Sequence, residues 1–401
     1  MTGNSSNGAL ASSWPPLVDV RRSLKVKWYR SPIDRARLRE LSKRSNLQGL
    51  FQVGGHLAIF AATGAVTYYC WAGDLWLGFA AGLFAHGTVG SFLGVAPHEL
   101  GHGTVFRTKW LNKLFLYVTS LLIWWDPFDY ASSHTYHHRY TQYPEGDREN
   151  LFPLDPSLNW LALLQIFTIN LLGKPGRTFN KGGLLSTIFF TIKSALGTIG
   201  STEVPSREWL QALHDDQPNS ARRSMWWSRL QLLFHGSVLA VAAFTGLWVL
   251  PLLLSFFPFI ANWAVAFVAK TQHCGLRENF PDFRKSTRSI AINPLWEFLY
   301  WRMNWHIEHH MYAGVPCYNL KKLYREIARD LPEPRSVRGA WREMRETWQR
   351  QQIDPGYAFD TPLPATANAR EAEATRAVEA SGEGSDGLEN SIGDLAPAGL
   401  K

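Results

Sequence analysis

Eight of the thirteen histidines in this chain fall within three windows of five residues: His98 and His102 in HELGH, His134, His137 and His138 in HTYHH, and His306, His309 and His310 in HIEHH. On a helix, residues three or four apart stand on one face, so each window aims its imidazoles into a single volume. Imidazole suits iron, copper, zinc and nickel, and a neutral nitrogen ligand brings no charge of its own into the site. Eight such groups are too many for one ion. Two metals sharing eight or nine imidazoles fit the number. Glu99, Asp147, Asn304 and Glu308 lie beside the windows. Because a metal-bound histidine usually gives its second N–H to a carboxylate or carbonyl, these four are candidates to orient the ligands.

The elements that must hold the windows together are apolar. Residues 56–72 and 75–97 are long uncharged runs parted by Gly73 and Asp74, and residues 230–250 and 251–269 form a second pair divided by Pro251. Runs of this length read as membrane spans, and the tight junctions as hairpins. The runs at 111–125, 158–172 and 184–199 are shorter and flanked by charges, Pro or Gly, which suits interfacial or capping helices. The expected fold is therefore an all-α integral membrane protein, with four transmembrane helices in two hairpins and a cytosolic helical cap carrying the histidine windows. Composition agrees. The chain has 401 residues with Trp 18, Phe 23 and Tyr 13, an aromatic load favoured at membrane interfaces. Its mean hydropathy of -0.16 averages apolar runs with polar ends.

The net charge of +8 is concentrated: residues 21–46 hold ten Lys and Arg against Asp34 and Glu40. Placed just before the first apolar run, this stretch reads as the cytosolic flank of a membrane helix, with an anionic-lipid contact possible, rather than as a nucleic-acid arm. No nucleic-acid partner is expected. Three scattered cysteines argue against a disulfide framework or a thiolate zinc site. Residues 1–20 carry no apolar run behind a basic start, so targeting is expected to come from the internal segments. The organisation expected is a basic segment at 1–50, a membrane domain at 51–330, an amphipathic helix at 331–360, where Val337, Trp341, Met344 and Trp348 recur at helical spacing, and a polar disordered tail at 361–401.

Four spans put the first window after the second span, the second in the central stretch and the third after the fourth span, so all three emerge on the cytosolic side. A redox metal able to activate dioxygen is the natural occupant of such a site beside a membrane. Iron is the expected metal, and zinc the alternative.

The stretches HELGH, HTYHHRYTQYPEGD and NWHIEHHMYAGVPCYNL resemble the three histidine boxes of the membrane fatty acid desaturase superfamily, which also contains hydroxylases and carotenoid ketolases. The resemblance covers residues 50–330. It implies two iron ions held by the boxes, with His273 in TQHCG standing where a further ligand follows the fourth span. It also implies dioxygen as oxidant and a lipid-like substrate. Superfamily members fused to cytochrome b5 open the third box with glutamine. Here His306 opens it and no HPGG haem motif occurs, so the resemblance implies a separate donor, cytochrome b5 or a ferredoxin with its reductase. The expected activity is desaturation, with hydroxylation or ketolation of a lipid, polyketide, terpenoid or carotenoid as the alternative. A multi-pass protein of the endoplasmic reticulum, if eukaryotic, or of the inner membrane, if bacterial, is implied.

Two rival readings arise from the same residues. HELGH satisfies H-E-x-x-H, the zinc protease helix, but Val105 stands where the extended motif needs glycine, and two further boxes would have no purpose. His56, His86 and His235 lie within the spans and invite a haem reading. Packed, hydrogen-bonded histidines, or lining of a substrate tunnel, explain them as well. His214 is expected in a polar loop, and Trp124, Trp125 and Phe128 are expected at tunnel walls or the membrane interface.

Overall fold

A computed structural model describes residues 14–149, 155–156, 158–173 and 183–367. These residues are mostly helical, with one short parallel strand pair, Ile290–Ala291 and Arg335–Ser336. The first long helix, Asn46–Ala72, starts where the Ser45 hydroxyl accepts from the Gln48 amide, and it ends at Gly73. Asp74, at φ 55, turns the chain into Trp76–Ser91. A short 3-10 turn, Phe92–Val95, and the helix Ala96–Gly101 extend this element into a rod of 26 residues. The interruption follows from Pro97, which has no N–H to give the preceding turn. Two helices, Asn46–Ala72 and Trp76–Gly101, are long and apolar enough to cross a membrane.

The second apolar pair departs from the expected form. Its first member belongs to a helix of 28 residues, Pro218–Thr245, ended by Gly246 at φ 73, so the hairpin turns at Gly246 and not at Pro251. The second member is not one helix. It comprises Val249–Leu254, a 3-10 turn Phe257–Phe259 containing Pro258, and Trp263–Ala269. Such a break frees backbone groups that an apolar environment cannot satisfy. Neighbouring elements satisfy them. Asn170 N donates to Phe259 O at 2.7 Å, Ala261 N to Thr168 O at 2.8 Å, and the Thr88 hydroxyl to Ala261 O at 3.0 Å. Close approach requires Gly87, where an added Cβ would lie 2.2 Å from the Ile260 carbonyl oxygen.

Two of the three histidines inside the apolar elements, His86 and His235, belong to this stitching. His86 Nε2 reaches Leu253 O and its Nδ1 reaches the Thr63 hydroxyl, both at 3.0 Å. His235 Nε2 donates to Leu121 O and its Nδ1 accepts from the Ser255 hydroxyl, again at 3.0 Å, while the Trp124 ring stacks on the imidazole at 3.8 Å. His56 Nε2 donates to Val89 O at 3.1 Å, and its Nδ1 accepts from the Trp301 indole at 3.0 Å. Both nitrogens of each ring are engaged, which leaves none to clamp a haem.

Trp248, just past the second turn, packs on Trp71 and Phe79 at 5.7 and 5.8 Å, so the two hairpin tips share one end of the bundle. The boxes lie at the other. The helix Val337–Gln351 docks there too, burying Trp341 and Met344, with the Trp341 indole donating to Phe267 O at 2.9 Å. The start of the expected tail is tied down at Thr361, whose carbonyl accepts from Lys285, and at the buried Ala367. The expected tail beyond them, 368–401, lies outside the described residues. His214 stands in the last turn of the helix Arg207–Asp216, not in a loop, and its Nε2 lies 2.8 Å from Asp129 Oδ1.

Candidate metal centre

Each box is placed by a helix end or a turn. Box one lies at the end of the broken rod: His98 is helical, His102 caps the helix, and Gly103 at φ 66 turns the chain away. The Asn112 side chain then grips both the N–H and the C=O of Phe106, at 3.0 and 2.9 Å, and fixes the exit. Box two occupies the last turns of Pro127–Tyr140, a helix opened by Pro127 and by the Asp126 carboxylate accepting from Phe128 N and Asp129 N. Box three fills the short helix His306–Met311. Trp301 and Arg302 precede it, both at positive φ, a left-handed conformation that side chains adopt at a cost. Contacts of Trp301 with His56 and of Arg302 with Gln52 hold that turn against the first long helix.

These elements bring all nine predicted histidines into two groups. His98, His102, His134, His138 and His309 form one, while His137, His273, His306 and His310 form the other. Within each group the candidate ligand atoms lie within 4.8 Å of one another. Nε2 atoms face each other within each group: His102 and His134 at 3.3 Å and His138 and His309 at 3.2 Å in the first, His273 and His306 at 2.9 Å and His306 and His310 at 3.1 Å in the second.

The outward nitrogens decide what these contacts mean. His137 Nδ1 donates to Asp147 Oδ2 at 2.9 Å, and His273 Nδ1 to Ser286 O at 3.0 Å. The Thr141 hydroxyl spends its proton on His137 O at 2.6 Å, so its oxygen accepts from His310 Nδ1 at 3.2 Å. Each of these three rings therefore carries its proton outward and turns a bare Nε2 inward. His306, if neutral, has one proton to offer and faces two such lone pairs. Lone pairs opposed at this distance repel unless a cation lies among them, so the donor set fits metal ions.

Electrostatics agree. Burial, with neighbouring imidazoles adding to it, holds His134, His138, His306, His309 and His310 well below the usual histidine range. The same causes bring His102 down to about 4 and His273 to about 3. Neutral ligands need shed no proton to bind a metal. For His137 burial also opposes the charge, but the charge and hydrogen bond of Asp147 prevail and raise its pKa.

Among the candidate orienting residues, two touch box imidazoles. Asp147 holds His137. Glu99, 1% exposed, has Oε1 3.2 Å from His98 Nδ1 and 3.4 Å from His309 Nδ1. A cation among the adjoining imidazoles would favour the ionised form of this carboxyl. The other two turn elsewhere: Asn304 donates to Ile290 O at 2.9 Å, and Glu308 accepts from the Ser289 hydroxyl at 2.7 Å. Several contacts were not foreseen. They are Thr141 and Ser286 O, the Met303 sulfur 3.1 Å from His306 Nδ1, and Tyr130, which stacks on His134 at 4.8 Å and 16°. Thr141, four residues after His137, was legible in principle; the others depend on how turns fold back.

With this geometry in view, the likeness to known proteins is informative. Residues 74–341 match the model of the fatty acid desaturase family. Over 110 residues the chain is 30% identical to the Delta(12) fatty acid desaturase fat-2 of Caenorhabditis elegans, a match covering 23% of this chain and 29% of that relative. The family match spans all three boxes and His273, and on that ground the chain belongs to the fatty acid desaturase family.

Proposed function

We propose that this protein is a membrane-bound di-iron desaturase that introduces a C=C bond into an acyl chain. The observation that carries the proposal is the division of nine imidazoles into a group of five and a group of four, one group for each metal. His98, His102, His134, His138 and His309 would hold one iron, and His137, His273, His306 and His310 the other. When bound, the irons would supply the oxidising chemistry, in which dioxygen, two hydrogens from adjacent carbons, two electrons and two protons give an alkene and two waters. Asp147, Ser286 O and Thr141 keep Nε2 of His137, His273 and His310 turned inward, so ligand geometry is set before the metal arrives. Glu99 places a carboxylate against the first group without entering the ligand set. In HELGH, therefore, Glu99 faces imidazoles, and His98 and His102 share their volume with three more, an arrangement foreign to a three-ligand protease zinc. We further propose that four apolar crossings carry the site on the cytosolic side, served by a separate donor, cytochrome b5 or a ferredoxin with its reductase.

The test is chemical. Membranes containing the protein, supplied with reductant and oxygen, are expected to yield lipids lighter by about two mass units, the two hydrogens lost in forming the double bond. A gain of about sixteen, one oxygen atom, would reassign it as a hydroxylase of the same family. Purified protein devoid of iron would remove the basis of both.

A further inference from the structure

Residues 24–34, ahead of the short helix Arg35–Leu41, are held in an extended path over the second histidine group. Tyr29 N donates to Pro281 O at 2.8 Å, and Tyr29 pairs with Asp282 as a parallel bridge. The indole of Trp28 donates to Arg139 O, at the end of the box-two helix, at 3.0 Å. So anchored, the half-buried Trp28 ring lies flat on Phe283, with centroids 4.0 Å apart and planes at 9°. Phe283 is 2% exposed, and its other neighbour is the His310 ring, at 5.4 Å and 35°. An unbroken run of π-systems thus leads from the surface to a metal-group imidazole.

The rim of this run is cationic. Lys25, Lys27, Arg30 and Arg139 are all exposed, and no acidic residue occurs between Asp19 and Asp34. The neighbouring Arg21 is already engaged by Asp216 and Tyr136, but no ion pair is formed by the four rim cations among the described residues. Membrane phospholipid would also attract such a patch, but it would have no use for a stacked ring pair ending at a histidine of the metal group.

We propose that electrons enter here: an acidic one-electron carrier protein docks on Lys25, Lys27, Arg30 and Arg139, and its electrons pass through the stacked Trp28 and Phe283 rings to His310. This deepens the di-iron reading and rests on it. Each turnover needs two electrons, delivered singly by two reduced carrier molecules that leave oxidised, while the two protons come from water. Packed rings favour transfer because tunnelling weakens steeply across gaps, and the rim supplies the attraction that speeds encounter and sets orientation.

The experiment uses the iron-loaded protein in nanodiscs of neutral or anionic lipid, with two acidic probes, the soluble haem domain of cytochrome b5 and a plant-type ferredoxin. The K25E/K27E variant is expected to bind the effective probe on the order of tenfold more weakly at low salt, with the difference vanishing at high salt. Trp28→Leu is expected to keep probe affinity, iron content and reduction by dithionite, but to lose rapid reoxidation of the bound carrier; Trp28→Phe restores it. Unchanged affinity in K25E/K27E, failure of both probes to bind the wild type, or unchanged reoxidation in Trp28→Leu overturns the proposal. So does a charge reversal that alters only the preference for anionic nanodiscs, which would make the patch a lipid contact. Wild-type protein that holds no iron defeats the underlying reading instead, and the iron assay separates that case from the others.

Discussion

Asp147 accepts three hydrogen bonds at once, from His137 Nδ1 at 2.9 Å, Gln142 N at 3.0 Å and Glu149 N at 3.1 Å. Burial alone would raise its pKa, yet these partners, led by His137, keep it below the usual carboxylate range. Asp147→Ala is therefore expected to free the His137 ring and weaken iron binding roughly 10–100-fold, measured by competition with a chelator. Asp147→Asn, which keeps an acceptor oxygen, is expected to lose less. At this scale much was legible, because helical spacing of three and four announces convergent side chains without knowledge of the fold. Asp147 could be suspected from its place beside box two. Met303 and Ser286 O could not, since they reach the ligands through turns whose course no periodicity encodes.

The elements were less fully legible. Length and hydropathy marked the first hairpin with its turn at Gly73 and Asp74, although Pro97 breaks the end of its second member with a 3-10 turn. In the second pair, the apolar run 251–269 hides a break. Pro258 withholds an N–H, and the groups thus freed are met by Thr88, Thr168 and Asn170, all distant in sequence. Hydropathy counts side chains and cannot report backbone groups satisfied from elsewhere. The same break gives two histidines of the apolar helices, His86 and His235, their partners at Leu253 and Ser255. His86→Ala is expected to strand the Leu253 carbonyl and destabilise the protein by about 1–3 kcal/mol, while iron content stays unchanged. Thermal unfolding in detergent alongside metal analysis checks this, and a haem absorbance band that disappears in the variant would contradict it.

At the scale of the whole molecule, the contact of Trp248 with Trp71 and Phe79 puts both hairpin tips at one end and the boxes at the other. Cysteines introduced at Asp74 and Thr245 are expected to react with an impermeant thiol reagent from the opposite side of the membrane to cysteines at Arg39 and Arg342. Labelling of all four from one side would refute the four-crossing proposal. The sequence conveyed this arrangement through the count of apolar runs and the charge asymmetry, and the contact between tips joins residues too far apart for any local pattern to record. The box-two helix sends His134 and His138 to one group and His137 to the other, and the box-three helix divides in the same way, His309 to one and His306 and His310 to the other. The two ions would thus be clasped back to back by one pair of helices, so seating the first draws both helices together and tightens the already oriented rings around the second. Titration of stripped protein with ferrous iron should then pass from empty to full with few singly occupied molecules, visible by native mass spectrometry.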